Sequence, residues 1–162
     1  HDDQADILKL AVVERHKATG NIGLGLLENY GLKSGAIAST VAHDSHNLIV
    51  VGSNDSDMLT AIAEIERIGG GLTIARQGKI LGSLPLPIAG LMSDSPLQEV
   101  DDKLNELLKI AYGMGVNPQL EPFMTLAFLA LPVIPDIKLT DLGLFDVTRF
   151  EFMKISAKET VV

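Results

Sequence analysis

Val41-Ala42-His43-Asp44-Ser45-His46-Asn47-Leu48-Ile49-Val50-Val51-Gly52-Ser53-Asn54-Asp55 sets two histidines, two carboxylates, two amides and two hydroxyls around one short apolar run. Leu48–Val51 is apolar at every position, which is the pattern of a strand buried on both faces. His43–Asn47 stands at its start. Ser53–Asp57 stands at its end, where an amide and two carboxylates suit the opening of a helix. The residues that fix the middle of the core are therefore flanked by the residues richest in chemistry.

Working outward, Ala36–Ala42 reads as a strand that reaches Leu48–Val51 after five residues, so the two predict a hairpin. Ile7–Val13 predicts a further strand, ending in the charged run Glu14–Lys17. After the turn Thr19–Asn21, Ile22, Leu24 and Leu26 alternate with Gly23 and Gly25. That strand has one bare face, where another backbone can come close. Asn54–Ile68 predicts a helix capped by Asn54 or Ser53, with Met58, Ile62 and Ile65 as its core stripe and Gly69–Gly71 as its stop. Leu72–Arg76 and Lys79–Leu84 flank Gln77-Gly78, a two-residue hairpin turn. The segment 84–94 carries two prolines and is too apolar for an open loop, so it is expected to pack against the body of the protein.

Ser95-Pro96-Leu97-Gln98 predicts a helix with Ser95 as N-cap, Pro96 in its first position and Gln98 completing a capping box. It should run to Tyr112 with Leu97, Val100, Leu104, Leu107 and Leu108 in the core. Pro122–Leu131 reads as a short helix, although a buried strand has the same length. Phe150–Ile155 reads as a last strand. Hairpins and helices alternate irregularly, without the βαβ rhythm of a doubly wound sheet. The expected fold class is α+β: antiparallel or mixed β-sheet, with two long helices packed on an outer face and residues 1–162 forming a single domain.

The chain of 162 residues is 46% hydrophobic, enough for a packed core. Its net charge of −8 argues against nucleic acid and anionic membrane as partners, because both call for a basic surface. With no cysteine it forms neither disulfides nor thiolate metal sites. The longest apolar run, Phe123–Ile134, is too short to span a bilayer, and no secretory pattern opens the sequence. A cytoplasmic location is expected.

Two readings fit His43-Asp44-Ser45-His46. Imidazoles beside a carboxylate can ligate a metal or move a proton, with Asp55 or Asp57 as further ligands if the fold converges them. The same residues also suit a polar hairpin tip in which Asp44 and Asn47 bond to nearby backbone. Gly20-x-x-Gly23-x-Gly25 has Glu28 where a dinucleotide fingerprint has its third glycine, and no helix follows, so it reads as close packing. Neither a nucleophile elbow nor an H-E-x-x-H pair occurs.

Four segments carry a family resemblance: Val41–Gly52 (VAHDSHNLIVVG), Leu84–Pro96 (LPLPIAGLMSDSP), Glu121–Pro135 (EPFMTLAFLALPVIP) and Leu139–Phe152 (LTDLGLFDVTRFEF). Together, and in this order, they resemble the C-terminal domain of adenine deaminase, the bacterial and archaeal enzyme of the amidohydrolase superfamily. The resemblance covers roughly residues 8–155. It implies a parent enzyme that hydrolyses adenine to hypoxanthine and ammonia with a divalent metal, manganese or iron. It also implies an upstream amidohydrolase barrel as partner, and a homo-oligomer is compatible with it. In that family the metal is held by the barrel, whose mark is an H-x-H pair. This chain has histidines at 1, 16, 43 and 46 and no H-x-H, and is shorter than a barrel of about 250 residues. No catalytic residue, cofactor or metal ligand is therefore assigned within it, and the isolated chain is expected to be inactive. What carries over is HDSHN at His43, Asp44, Ser45, His46 and Asn47, and MSD at Met92, Ser93 and Asp94. His43–Asn47, Ser93 and Asp94 are the candidate residues facing the barrel's active site. The alternatives are a free-standing metal-dependent hydrolase built on His43, Asp44 and His46, and a ligand-binding or oligomerisation module without chemistry.

Overall fold

The computed structural model describes residues 6–154. In chain order these form β1 (Ile7–Val13), β2 (Ile22–Glu28), β3 (Ala36–Ser39), β4 (Leu48–Gly52), α1 (Asp55–Arg67), β5 (Gly71–Arg76), β6 (Lys79–Pro85), α2 (Leu97–Gly113), α3 (Pro122–Leu129), β7 (Ile137–Thr140), β8 (Gly143–Asp146) and β9 (Glu151–Met153). The first six strands make one sheet in the order β2-β1-β4-β3-β5-β6, and the last three make a small sheet, β7-β8-β9. All strand pairs in both are antiparallel.

β4 lies inside the large sheet, between β1 and β3, and every one of its residues is buried. Its side chains divide by alternation. Leu48 and Val50 enter a core with Met58, Ala61 and Ile65 of α1, while Ile49 and Val51 enter a larger core on the other face. On the α1 side the sheet presents Ala11, Ala36, Ala38 and Ala75, small residues that let the helix lie close. On the opposite side Leu10, Val12, Ile37 and Ile74 meet Leu107 and Ala111 of α2 and Phe123 and Leu126 of α3. The fold is α+β with antiparallel sheets, as expected. The two longer helices are shared out between the two faces of the large sheet.

The helix ends explain themselves locally. Asn54 takes the extended conformation before α1, and its side-chain oxygen accepts from the Asp57 N–H at 2.9 Å. Asp57 is buried. Its carboxylate also accepts from the Gly78 N–H at 2.8 Å, which pins the β5–β6 turn to the start of α1. In that turn both Gln77 and Gly78 have left-handed φ, 53° and 69°, as the short hairpin requires. The start of α2 corrects the expectation. Pro96, not Ser95, stands at the cap, because its carbonyl is the first taken up by the helix, from Val100 at 3.2 Å. No side chain caps this end, Ser95 donates its N–H to Ser93 Oγ at 3.1 Å, and Gln98 turns forward to Asp102. Leu97 is 84% exposed and outside the core, while Leu107 and Ala111 are buried. Gly82 of β6 leaves room for Leu107, so the C-terminal half of α2 is the half that lies on the sheet. α3 is helical, with Glu121 accepting from the Met124 N–H and Pro122 in the first turn.

The bare face of β2 is covered by backbone at Gly23 and by leucine side chains at Gly25. A Cβ on Gly23 would lie 1.8 Å from the carbonyl oxygen of Thr140, and one on Gly25 would touch Leu139 and Leu144. The small sheet thus rests on β2 through β7 and β8. The final strand is shorter than expected: Phe150 is a left-handed turn residue, φ 57°, and Ile155 lies outside the described residues. Among the described residues no helix is long and apolar enough to cross a membrane.

Candidate functional site

The loop between β3 and β4 is built by side chains that replace the ladder. The Val41 N–H donates to Ser39 Oγ at 2.9 Å, which turns the chain out of β3. Buried Thr40 accepts from the Gly71 N–H at 2.8 Å and donates its hydroxyl to the Gly90 carbonyl at 2.6 Å, tying the loop to the segment after β6. The His46 N–H then donates to the Ala42 carbonyl at 2.7 Å, and His46 itself is left-handed, φ 51°, uncommon for a side-chain-bearing residue. Asn47 leads directly into β4.

The loop presents Asp44 and Ser45 to solvent, half-buries His43 and His46, and buries Asn47 to 3% exposure. The two imidazoles meet edge to face with centroids 5.3 Å apart, and His43 also lies 6.3 Å from the ring of Phe128 on α3. Burial, reinforced by the neighbouring His43 and by Arg15, holds His46 below the ordinary histidine range, against a weaker pull from Asp44. At neutral pH its ring is uncharged, with one nitrogen donating and the other accepting. His46 Nδ1 and Asn47 Oδ1 are buried and have no hydrogen-bond partner among the described residues.

Two residues that the sequence reading passed over hold this loop. Arg15 donates Nε to the His46 carbonyl at 2.6 Å and Nη2 to the Ala89 carbonyl at 2.7 Å, so it clasps two left-handed residues at once; Ala89 has φ 58°. Gly90 is needed beside it, because a Cβ there would stand 2.8 Å from Arg15 Nη2. His16 Nε2 donates to the Ser45 carbonyl at 2.7 Å. Glu14 shapes the run that carries both. Its carboxylate accepts from the Thr19, His16 and Lys17 N–H groups and the Thr19 hydroxyl, and these bonds, the Thr19 N–H foremost, lower it to about 2 against the opposing effect of burial. By sequence the run reads only as the charged end of a strand. Its one legible signal was two cations and an imidazole-bearing turn in an acidic chain.

The structure brings His43, Asp44, Ser45, His46 and Asn47 together with Arg15, His16 and Ala89. Ser93 and Asp94 lie elsewhere on the segment after β6, in a separate groove of about 280 Å³ with Pro85, Glu99 and Lys103. Asp55 is drawn away by Lys9 at 2.7 Å and Asp57 by the Gly78 turn, so neither joins the histidines. Among the described residues no three of the His, Asp and Glu side chains converge as metal ligands would. A metal of the kind the resemblance implies does not fit this set. On its open side, Asp44 and Ser45 form the lip of an apolar cavity of about 610 Å³ under the small sheet.

Residues 1–151 match the family described as "Adenine deaminase C-terminal domain". The chain belongs to this family. It is similar to adenine deaminase 2 of Carboxydothermus hydrogenoformans, 60% identical over 153 residues, which is 94% of this chain and 27% of that protein. It is also similar to the adenine deaminase of Nitratidesulfovibrio vulgaris, 59% identical over 150 residues, 92% of this chain and 26% of that protein. The adenine deaminase of Clostridium acetobutylicum is 59% identical over 148 residues, 91% of this chain and 26% of that protein. The chain therefore spans about a quarter of the length of the curated relatives it matches. This chain thus combines a two-faced antiparallel sheet with one strongly built polar loop, braced by Arg15 and His16.

Proposed function

We propose that this chain is the accessory C-terminal domain of an adenine deaminase, a single domain at residues 1–162 that is inactive alone and serves an upstream amidohydrolase barrel. The parent enzyme is read as cytoplasmic, acting in adenine catabolism and purine salvage, with water replacing the exocyclic amine of adenine to give hypoxanthine and ammonia. A divalent metal, manganese or iron, held by the barrel would supply the activated water. A homo-oligomeric parent is compatible with this reading.

The observation that carries it is the His43–Asn47 loop. Among the described residues an uncharged His46 and a buried Asn47 each keep one polar atom unbonded, although buried polar groups are normally paired because an orphan costs about 1–3 kcal/mol. A loop stiffened by Arg15 and His16, with reachable His43 and Asp44, suits a group that lines and closes a neighbouring active-site mouth. His43 and Asp44 would meet the substrate side, and His46 and Asn47 would hold them in place. Ser93 and Asp94 enter the same proposal as residues of the mouth's outer rim.

The test uses the full-length parent enzyme. His43→Ala and His46→Ala are expected to lower kcat/KM for adenine by about 10²–10⁴, the usual worth of a positioned proton-handling group, with little change in Tm. Unaltered kinetics with a lowered Tm would assign the loop to domain docking instead.

A further inference from the structure

Among the described residues the small sheet β7–β9 is covered on one face only. Leu139 and Leu144 turn toward the glycines of β2, and by alternation Phe145 turns the other way. Phe152 pairs with Phe145 in register and shares that outer face. Phe145 stacks edge to face on Phe150 and on Phe152, with centroids 5.3 and 5.2 Å apart. Yet Phe150 is 81% and Phe152 55% exposed, and Val133 and Leu142 beside them are exposed as well. These residues wall the cavity of about 610 Å³ that has Asp44 and Ser45 on its lip. Each aromatic ring carries some 150–250 Å² of surface to bury, and a contiguous apolar area of this kind on a soluble protein marks a contact.

We infer that this aromatic bowl, walled by Val133, Leu142, Phe145, Phe150 and Phe152, is the surface on which the upstream part of the parent chain is seated. The inference rests on the proposed reading that such a part exists. Three observations select this occupant. The relatives are about three and a half times the length of this chain, so on the proposed reading a large body adjoins it. The bowl and the His43–Asn47 loop share a lip, so a body seated in the bowl is brought to the histidines without further rearrangement. The lip also carries the carboxylates of Asp44 and Asp141, neither in an ion pair among the described residues. The matching segment should therefore bring an apolar or aromatic side chain for the bowl and a lysine or arginine for the lip. A second apolar row, Ile22, Leu24 and Leu26, lies on the face of β2 that points away from the small sheet, and serves as the comparison surface.

The experiment is photo-crosslinking in the full-length enzyme, with p-benzoylphenylalanine introduced at Phe150 in one protein and at Leu24 in another, followed by peptide mass spectrometry. The probe at 150 is expected to crosslink within one chain, to peptides upstream of this domain, and Phe152→Asp to abolish that crosslink. The probe at 24 is expected not to reach those peptides. Crosslinks from 150 only to a second copy, or only to residues after 154, would overturn the assignment by naming a different occupant. No crosslink from 150 would overturn it outright. The readout is contact and needs no turnover, so it fails or succeeds separately from the kinetics of His43→Ala.

Discussion

At the residue scale the site depends on contacts that no local pattern announces. Arg15 meets His46 and Ala89, partners 31 and 74 positions away, through backbone carbonyls that carry no residue identity. The sequence therefore showed His43–Asn47 as a cluster and hid its braces. By contrast Asn54 was legible as a cap, because its partner is three residues on. Glu14 gives a pH test of the brace. Its carboxyl falls from an ordinary 4.5 to about 2 on folding, so its stabilising share is complete above 4.5 and lost as the pH falls through about 2. Glu14→Gln should be less stable than the parent sequence at pH 7, and the gap should close between pH 4.5 and about 2; urea melts across that range measure it. His46 acts in the same sense, at higher pH. A ring held below its ordinary 6.5 makes the fold lose stability as the pH drops below that value, since the unfolded chain then binds the extra proton. An NMR titration should find the His46 midpoint below 6.5, and a midpoint above it would contradict the burial described for the ring.

At the scale of single elements, periodicity carried the reading wherever an element packs along its whole length. β4 was legible as doubly buried because all of its residues are. The glycine alternation of β2 was legible as a close approach, and the small sheet makes that approach. Gly23→Ala would drive a methyl group into the Thr140 carbonyl, so it should loosen the β7–β8 hairpin, seen as faster amide exchange there than in β4. α2 misled because its apolar spacing continues past the edge of what it covers. Leu97 fits the stripe but is exposed, while Val100, Leu104 and Leu108 pack against the core only in part and Leu107 is buried in it. Leu107→Ala should cost about 2–5 kcal/mol in denaturant melts and Leu97→Ala under about 0.5 kcal/mol. Equal costs would mean that the helix lies along its full length.

At the scale of the whole molecule, the strand order β2-β1-β4-β3-β5-β6 was beyond reach of the sequence. It joins β1 to β4 across some 40 residues, and nothing local encodes that pairing. The order nevertheless decides where function sits. It sets the end of β1, with Glu14, Arg15 and His16, beside the start of β4, and so places the brace next to the loop that it braces. The β3–β4 hairpin was legible, and with it the position of His43–Asn47 at one end of the sheet. The separation of Ser93 and Asp94 from that loop was not, because the segment after β6 folds back on itself at Ile88 and Met92. The family membership then gives this arrangement its setting, a domain that makes up about a quarter of its relatives.

Under the proposed function the chemistry is completed only when this domain and the rest of its parent are together. The most direct measurement follows adenine loss and hypoxanthine gain, with manganese or iron supplied, for this chain alone and for the full-length enzyme. The expected result is turnover by the full-length enzyme and none by this chain. Metal-dependent turnover by this chain alone, abolished by His43→Ala, would contradict the account.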